Sequence, residues 1–157
     1  MIEIRLTVDG LLHEGQIQPG ESLMDLLRRL GYKSVKNGCD RGDCGSCAVL
    51  LDGRAVNACL VFAAKADGRS ITTAESLDRQ GELHPLQTAS LDLGAVQCGF
   101  CTPGMLMLAL DILETNPDPT ETEVRVAMTG NYCRCTGYVK PVEAILAAAA
   151  VMRGDRP

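Results

Sequence analysis

Ile2, Ile4, Leu6 and Val8 alternate with Glu3, Arg5 and Thr7. This period of two sends apolar side chains to one face of an extended segment and polar ones to the other. Asp9-Gly10 then predicts a tight turn, with a second strand running through about Ile17. The period changes after Ser22, where Leu23, Leu26, Leu27 and Leu30 recur about every 3.6 residues. Ser22 is placed to cap that helix and Gly31 to end it. The opening order is therefore β-β-α. The stretch CAVLLDGRAVNAC, residues 47–59, reads as another hairpin around Asp52-Gly53. With that two-residue turn Leu51 faces Arg54 and Cys47 faces Ala58, which sets Cys47 diagonally beside Cys59.

From about Glu75 the pattern becomes helical. Thr102 is expected as an N-cap with Pro103 at the first helical position, ahead of GMLMLALDILETN and the stops at Pro117 and Pro119. Thr120 and Glu123 form a capping-box pattern before VRVAM. Pro141 opens VEAILAAAAVM, which is apolar on nearly every side and so suggests a permanent interface. The chain predicts an α+β protein, with a strand-rich first domain over 1–75 and a helical second domain over 76–157. At that size a hydrophobic core alone is marginal, and natural folds often add a staple.

Composition narrows the function. Among 157 residues the formal charge is −5, with three Tyr, two Phe and no Trp. Neither a basic stripe nor a stacking platform can be built from these, which argues against nucleic acid. The N-terminus lacks the basic-then-apolar order of a secretory signal, and the longest apolar run, AILAAAAVM at 144–152, is far short of a membrane span. The expectation is a cytoplasmic protein with no membrane segment. The eight cysteines would suggest a disulfide framework in a secreted chain, but a reducing cytosol favours metal ligation.

Four cysteines fall in each half. Cys39, Cys44 and Cys47 have the spacing C-x4-C-x2-C, followed by the distant Cys59. This is the plant-type [2Fe-2S] ferredoxin spacing. Gly42 and Gly45 let the loop close around the inorganic sulfides and aim backbone N–H groups at them. The second set is Cys98 and Cys101 in QCGFC, with Cys133 and Cys135 in GNYCRCTG. A C-x2-C at a helix N-terminus suits thiolates, because the helix dipole favours negative charge there. On spacing alone iron-sulfur and zinc both remain open for this set, although C-x-C is not the usual zinc-knuckle spacing.

GCDRGDCGSC, QCGFCTPGM and GNYCRCTGY, in that order, resemble the small iron-sulfur subunit of the molybdenum hydroxylase (xanthine oxidase/dehydrogenase) family over nearly the whole chain. The resemblance implies an N-terminal β-grasp ferredoxin domain and a C-terminal four-helix bundle, each with one [2Fe-2S] cluster. It implies ligation of the second cluster by Cys98, Cys101, Cys133 and Cys135, close to a molybdopterin that Gln97 would hydrogen-bond, and of the first by Cys39, Cys44, Cys47 and Cys59, towards a flavin. Cys135 would lie on the pterin side. The molybdenum cofactor and FAD would belong to partners, a large molybdopterin-binding subunit and a FAD-binding subunit. Electrons would pass from the molybdopterin centre through both clusters to the flavin or another acceptor, with a lean towards purine or other N-heterocycle substrates. Ser46, Ala48 and Tyr132 depart from many relatives, and none is a ligand.

A free-standing two-cluster carrier and a zinc-stabilised interaction module are the rival readings. His13 and His84 lie outside any ligand spacing, so surface or capping roles are expected rather than a Rieske centre. Asp40 and Asp43 read as solvated loop carboxylates, Arg134 as a charge balancing the cluster, and Met105, Met107 and Met128 as core filling. No Ser/His/Asp triad, phosphate loop or dinucleotide fingerprint appears, so substrate chemistry is not expected of this chain.

Overall fold

The computed structural model describes residues 1–78 and 81–155. Residues 79–80 and 156–157, which fall in the expected second domain, lie outside the described residues. Strands β1 (Ile2–Val8) and β2 (Leu11–Ile17) pair antiparallel with Val8 opposite Leu11. Asp9 and Gly10 both take positive φ, 51° and 83°, the conformation a two-residue hairpin turn needs to match strand twist. β1 buries Ile4, Leu6 and Val8 and leaves Ile2 exposed. Helix α1 (Leu23–Arg29) starts at Ser22, whose Oγ accepts the Asp25 N–H, and it buries Leu23, Met24, Leu26 and Leu27. β3 (Ala48–Leu51) and β4 (Arg54–Asn57) form the second hairpin with Leu51 opposite Arg54, as the Asp52-Gly53 signal requires.

The fifth strand, β5 (Ser70–Thr72), was not expected. Three residues are too few to show a period, and the strand exists through its neighbours: it runs parallel to β1 and antiparallel to β3. The sheet order is β2-β1-β5-β3-β4, which puts the shortest strand at the centre. Ile71 is almost wholly buried there.

All four residues of β3 are buried. Val49 and Leu51 join α1, β1 and Ile71 in one apolar cluster, whereas Ala48 and Leu50 join a second cluster made by the helices that follow. Alternation along one strand therefore serves two cores. On the helical side are α2 (Pro85–Asp92), α3 (Thr102–Thr115), α4 (Glu121–Ala127) and α5 (Val139–Arg153). α2 and α4 each pack on both α3 and α5. Asp111 of α3 reaches the outer strand β4, accepting the Ala55 N–H at 3.1 Å and pairing with Arg54 at 2.9 Å.

Two helix starts differ from expectation. Cys101, not Thr102, is the N-cap of α3, so Thr102 occupies the first helical position and Pro103 the second. α5 begins at Val139, two residues before Pro141; a proline is tolerated within a first turn whose N–H groups have no helical acceptor. α2, with no strong apolar period, is capped by His84, whose ring accepts the Leu86 N–H. The apolar character of α5 is largely used inside the chain, where Val142, Ala144, Ile145, Ala148 and Ala149 are buried. Val139, Val151 and Met152 remain exposed. No helix among the described residues is long and apolar enough to cross a membrane.

Candidate metal centres

The loop between α1 and β3 is shaped by its backbone. Asp40, Gly42 and Gly45 take φ of 58°, 84° and 68°, and these reversals turn the chain around three cysteines. A Cβ on Gly42 would strike the Leu60 side chain, and one on Gly45 would come within 2.3 Å of the Gly130 carbonyl. The Arg41 N–H, with those of Cys44 and Asp43, hydrogen-bonds the Cys39 sulfur and lowers its pKa to about 7 against the opposing effect of burial. Cys44 also hydrogen-bonds Cys39 through its side chain. At the other end of the loop Cys47 is buried, which pushes its thiol up to about 12, and its sulfur meets that of Cys59. Cys59 lies in the 3-10 turn Ala58–Leu60 after β4, so the hairpin register does bring these two thiols together.

The second set comes from two short segments at helix starts. Cys98 and Cys101 lead into α3, and Cys133 and Cys135 lead into α5. Burial pushes Cys101 up to about 12 and its thiol meets Cys133. Burial opposes ionisation of Cys133 too, but hydrogen bonds from Thr136 and neighbouring backbone outweigh it and lower the pKa. The Thr136 hydroxyl donates to the Cys133 sulfur at 3.1 Å. The Cys133 N–H in turn donates to the Tyr138 hydroxyl at 2.9 Å. Cys135 hydrogen-bonds Cys98, which raises its pKa. Both of these thiols are exposed.

All eight cysteines are free. Each set of four presents its sulfurs as two neighbouring pairs, Cys39–Cys44 with Cys47–Cys59, and Cys101–Cys133 with Cys98–Cys135. Among the described residues no three His, Cys, Asp or Glu side chains converge to hold one metal ion; the thiols meet two by two. A two-iron core asks for this arrangement, four thiolates divided between two irons. The all-sulfur donor set, the glycine-lined loop and the backbone N–H groups facing sulfur fit such a core. A bound metal would deprotonate the buried Cys47 and Cys101 outright.

The two sets adjoin. The Tyr132 N–H donates to the Cys44 carbonyl at 2.9 Å, so a residue next to Cys133 is hydrogen-bonded to a cysteine of the other set. One open cavity is lined by Gly38, Cys44 and Ser46 from the first loop and by Cys98, Cys101, Cys133 and Cys135 from the second set. Gln97 is exposed directly before exposed Cys98.

Two family models match this chain: a 2Fe-2S iron-sulfur cluster binding domain over residues 6–83 and a [2Fe-2S] binding domain over residues 73–146. The nicotinate dehydrogenase small FeS subunit of Eubacterium barkeri is 46% identical over 140 residues, covering 88% of this chain and 89% of that protein. The chain belongs to the iron-sulfur subunits of the molybdenum hydroxylase family. Its clusters are of the [2Fe-2S] type. Within the family, the structure of quinoline 2-oxidoreductase from Pseudomonas putida 86 matches with a TM-score of 0.92 and 42% identity over 99% of this chain and 98% of that one. Aldehyde oxidoreductase from Desulfovibrio gigas matches with a TM-score of 0.95 and 43% identity over 100% of this chain but 18% of that one. There the same fold is one part of a much longer polypeptide.

His13 meets the Tyr32 hydroxyl at 2.8 Å and His84 caps α2. Asp43 pairs with Arg41, and Asp40 accepts from Asn37. Arg134 is exposed on the shared cavity, and Met105, Met107 and Met128 are core residues. Sequence reasoning missed Thr136 and Tyr138, which hydrogen-bond Cys133, and Asn131, which reaches the Gly45 carbonyl. For Thr136 a signal was present: a hydroxyl three residues beyond a cysteine in a turn can reach back to its sulfur.

Proposed function

We propose that this chain is the electron relay of a heteromeric molybdenum hydroxylase. Cys39, Cys44, Cys47 and Cys59 hold one [2Fe-2S] cluster, and Cys98, Cys101, Cys133 and Cys135 hold the other. Residues 1–75 form a β-grasp ferredoxin domain, supported by the sheet order with α1 across one face. Residues 76–157 form a four-helix bundle, supported by the packing of α2 and α4 on α3 and α5.

The observation that carries the relay is the contact between the two thiol sets, made through the Cys44 carbonyl and the Tyr132 N–H. Cys98 and Cys135, exposed beside Gln97, face a large partner subunit that carries the molybdopterin, and the Gln97 amide hydrogen-bonds the pterin. The β-grasp cluster passes electrons onward to a FAD-binding subunit or another acceptor. Separate partner chains are supported by the near full-length match to a protein that is itself a small subunit. The complex works in the cytoplasm on an N-heterocycle, a reading supported by relatives named for nicotinate and quinoline.

The native complex, isolated with its partners and mixed with substrate in a stopped-flow instrument, tests this. Bleaching of cluster absorbance on the timescale of turnover is the expected result. Clusters that stay oxidised while the substrate is consumed would remove this chain from the electron path.

A further inference from the structure

We infer that Asn131 and Gly104 form a positioning junction that sets the separation of the two clusters, an inference that rests on the relay reading above. Asn131 is one of three buried polar side chains among the described residues, with 4% of its surface exposed. It sits two residues before Cys133, yet its side-chain amide reaches 86 positions back in the chain and donates to the Gly45 carbonyl at 3.1 Å. Gly45 lies between Cys44 and Cys47. Its carbonyl also accepts the Ala48 N–H at 3.0 Å, so one oxygen joins the first cluster loop, β3 and the second cluster loop.

Three backbones meet at this point with no room for a side chain. A Cβ on Gly104, in the first turn of α3, would lie 2.3 Å from the Gly45 carbonyl oxygen and 3.2 Å from the Asn131 amide nitrogen. A Cβ on Gly45 would lie 2.3 Å from the Gly130 carbonyl and 2.7 Å from the Asn131 side chain. Close approach of this kind is a reason for glycine that differs from turn geometry. Gly130, by contrast, faces open space.

The junction matters for electron transfer because it is close-packed and sits beside the Tyr132-to-Cys44 hydrogen bond. In the transfer step one electron leaves the iron of one cluster and arrives at the iron of the other. No bond is made or broken and no proton is required. The rate of such a step depends on separation and on the bonds between the redox centres, which Asn131 and Gly104 would set through Gly45 rather than through any of the eight cysteines.

Gly104→Ala is the sharpest test. Alanine is favoured in a helix, yet its methyl must drive the Gly45 loop back by about 1 Å to reach ordinary contact. Asn131→Ser removes the amide latch, and Gly130→Ala is the control. Each is made in the full chain loaded with iron. The primary readout is the magnetic interaction between the two reduced clusters in low-temperature EPR, which a residue serving only stability would leave unchanged in loaded protein.

Gly104→Ala and Asn131→Ser should keep full iron content and two cluster signals but show a weakened inter-cluster interaction, with Gly130→Ala unchanged. For Asn131→Ser the ratio of latched to loosened junction should fall about fivefold, the weight of one net hydrogen bond. An unchanged interaction in both variants overturns the junction while leaving the relay intact. Loss of a cluster in Asn131→Ser overturns it too, since the residue would then serve assembly rather than spacing. Wild-type protein lacking two cluster signals would instead overturn the relay reading beneath it.

Discussion

The two thiol sets reach the same chemistry by opposite means. The first is wrapped by a single loop, in which three cysteines fall within nine positions and backbone reversals at Asp40, Gly42 and Gly45 do the shaping. The second is assembled from two distant segments, each pinned by the start of a helix. Each contains one buried thiol pushed up to about 12, Cys47 in the loop and Cys101 at the helix. They differ at the rim, where Cys98 and Cys135 are exposed while Cys39, Cys44 and Cys59 are half-buried. A loop that encloses its own site needs little from outside. A site built from helix ends leaves a face open, and that is the face a partner can complete.

Removing one buried thiol from each site should give the largest effect. Cys47→Ser should abolish the ferredoxin-type cluster and Cys101→Ser the helical one, each leaving the other EPR signal in the reduced protein. If either variant lost both signals, the two sites would not assemble independently. Core truncation comes next. Leu27→Ala opens a cavity in the α1 cluster and Met107→Ala one in the helical cluster, and each should cost about 2–5 kcal/mol in denaturant unfolding. Each should also release its own cluster first on heating, seen as a stepwise loss of visible absorbance. Equal release of both clusters would merge the two regions into one cooperative unit.

Gln97→Ala touches only the open face of the helical site. Both EPR signals should persist, while substrate-driven cluster reduction in the complex slows by the equivalent of about 1 kcal/mol. Reduction at the original rate would move the pterin away from Cys98.

The smallest effect is on acid stability, with one carboxylate in each half. Hydrogen bonds from the Ser70 N–H and Arg69 hold Asp52 below the usual carboxylate range, and those from the Thr120 N–H and hydroxyl do so for Glu123. A depressed folded pKa means that the stabilisation is fully present above the unfolded values near 4. It is lost as pH falls through the lower folded values. Asp52→Asn and Glu123→Gln should each flatten the decline of melting temperature below about pH 4. An unaltered decline would show that these exposed groups contribute nothing.

Much of this was legible in the sequence because the decisive signals are local. Turn residues at Asp52-Gly53 fixed a register, and the register carried Cys47 to Cys59 across eleven intervening residues. The capping box at Thr120 and Glu123 starts α4 as its spacing required. What stayed hidden depends on contacts between distant parts. β5 is three residues held by β1 and β3. The start of α5 precedes its proline because Gly137 and Tyr138, at φ of 62° and 68°, turn the chain early. Asn131 reads as an ordinary loop residue until Gly45 is seen beside it.

Under the relay proposal, eight thiols arranged as two sets of two pairs hold two iron-sulfur cores. Iron and acid-labile sulfide analysis of the purified chain addresses it most directly. About four iron and about four sulfide per chain are predicted, from two cores of two irons each. Zinc as the main metal, or about two iron in protein that takes up no more, would contradict it.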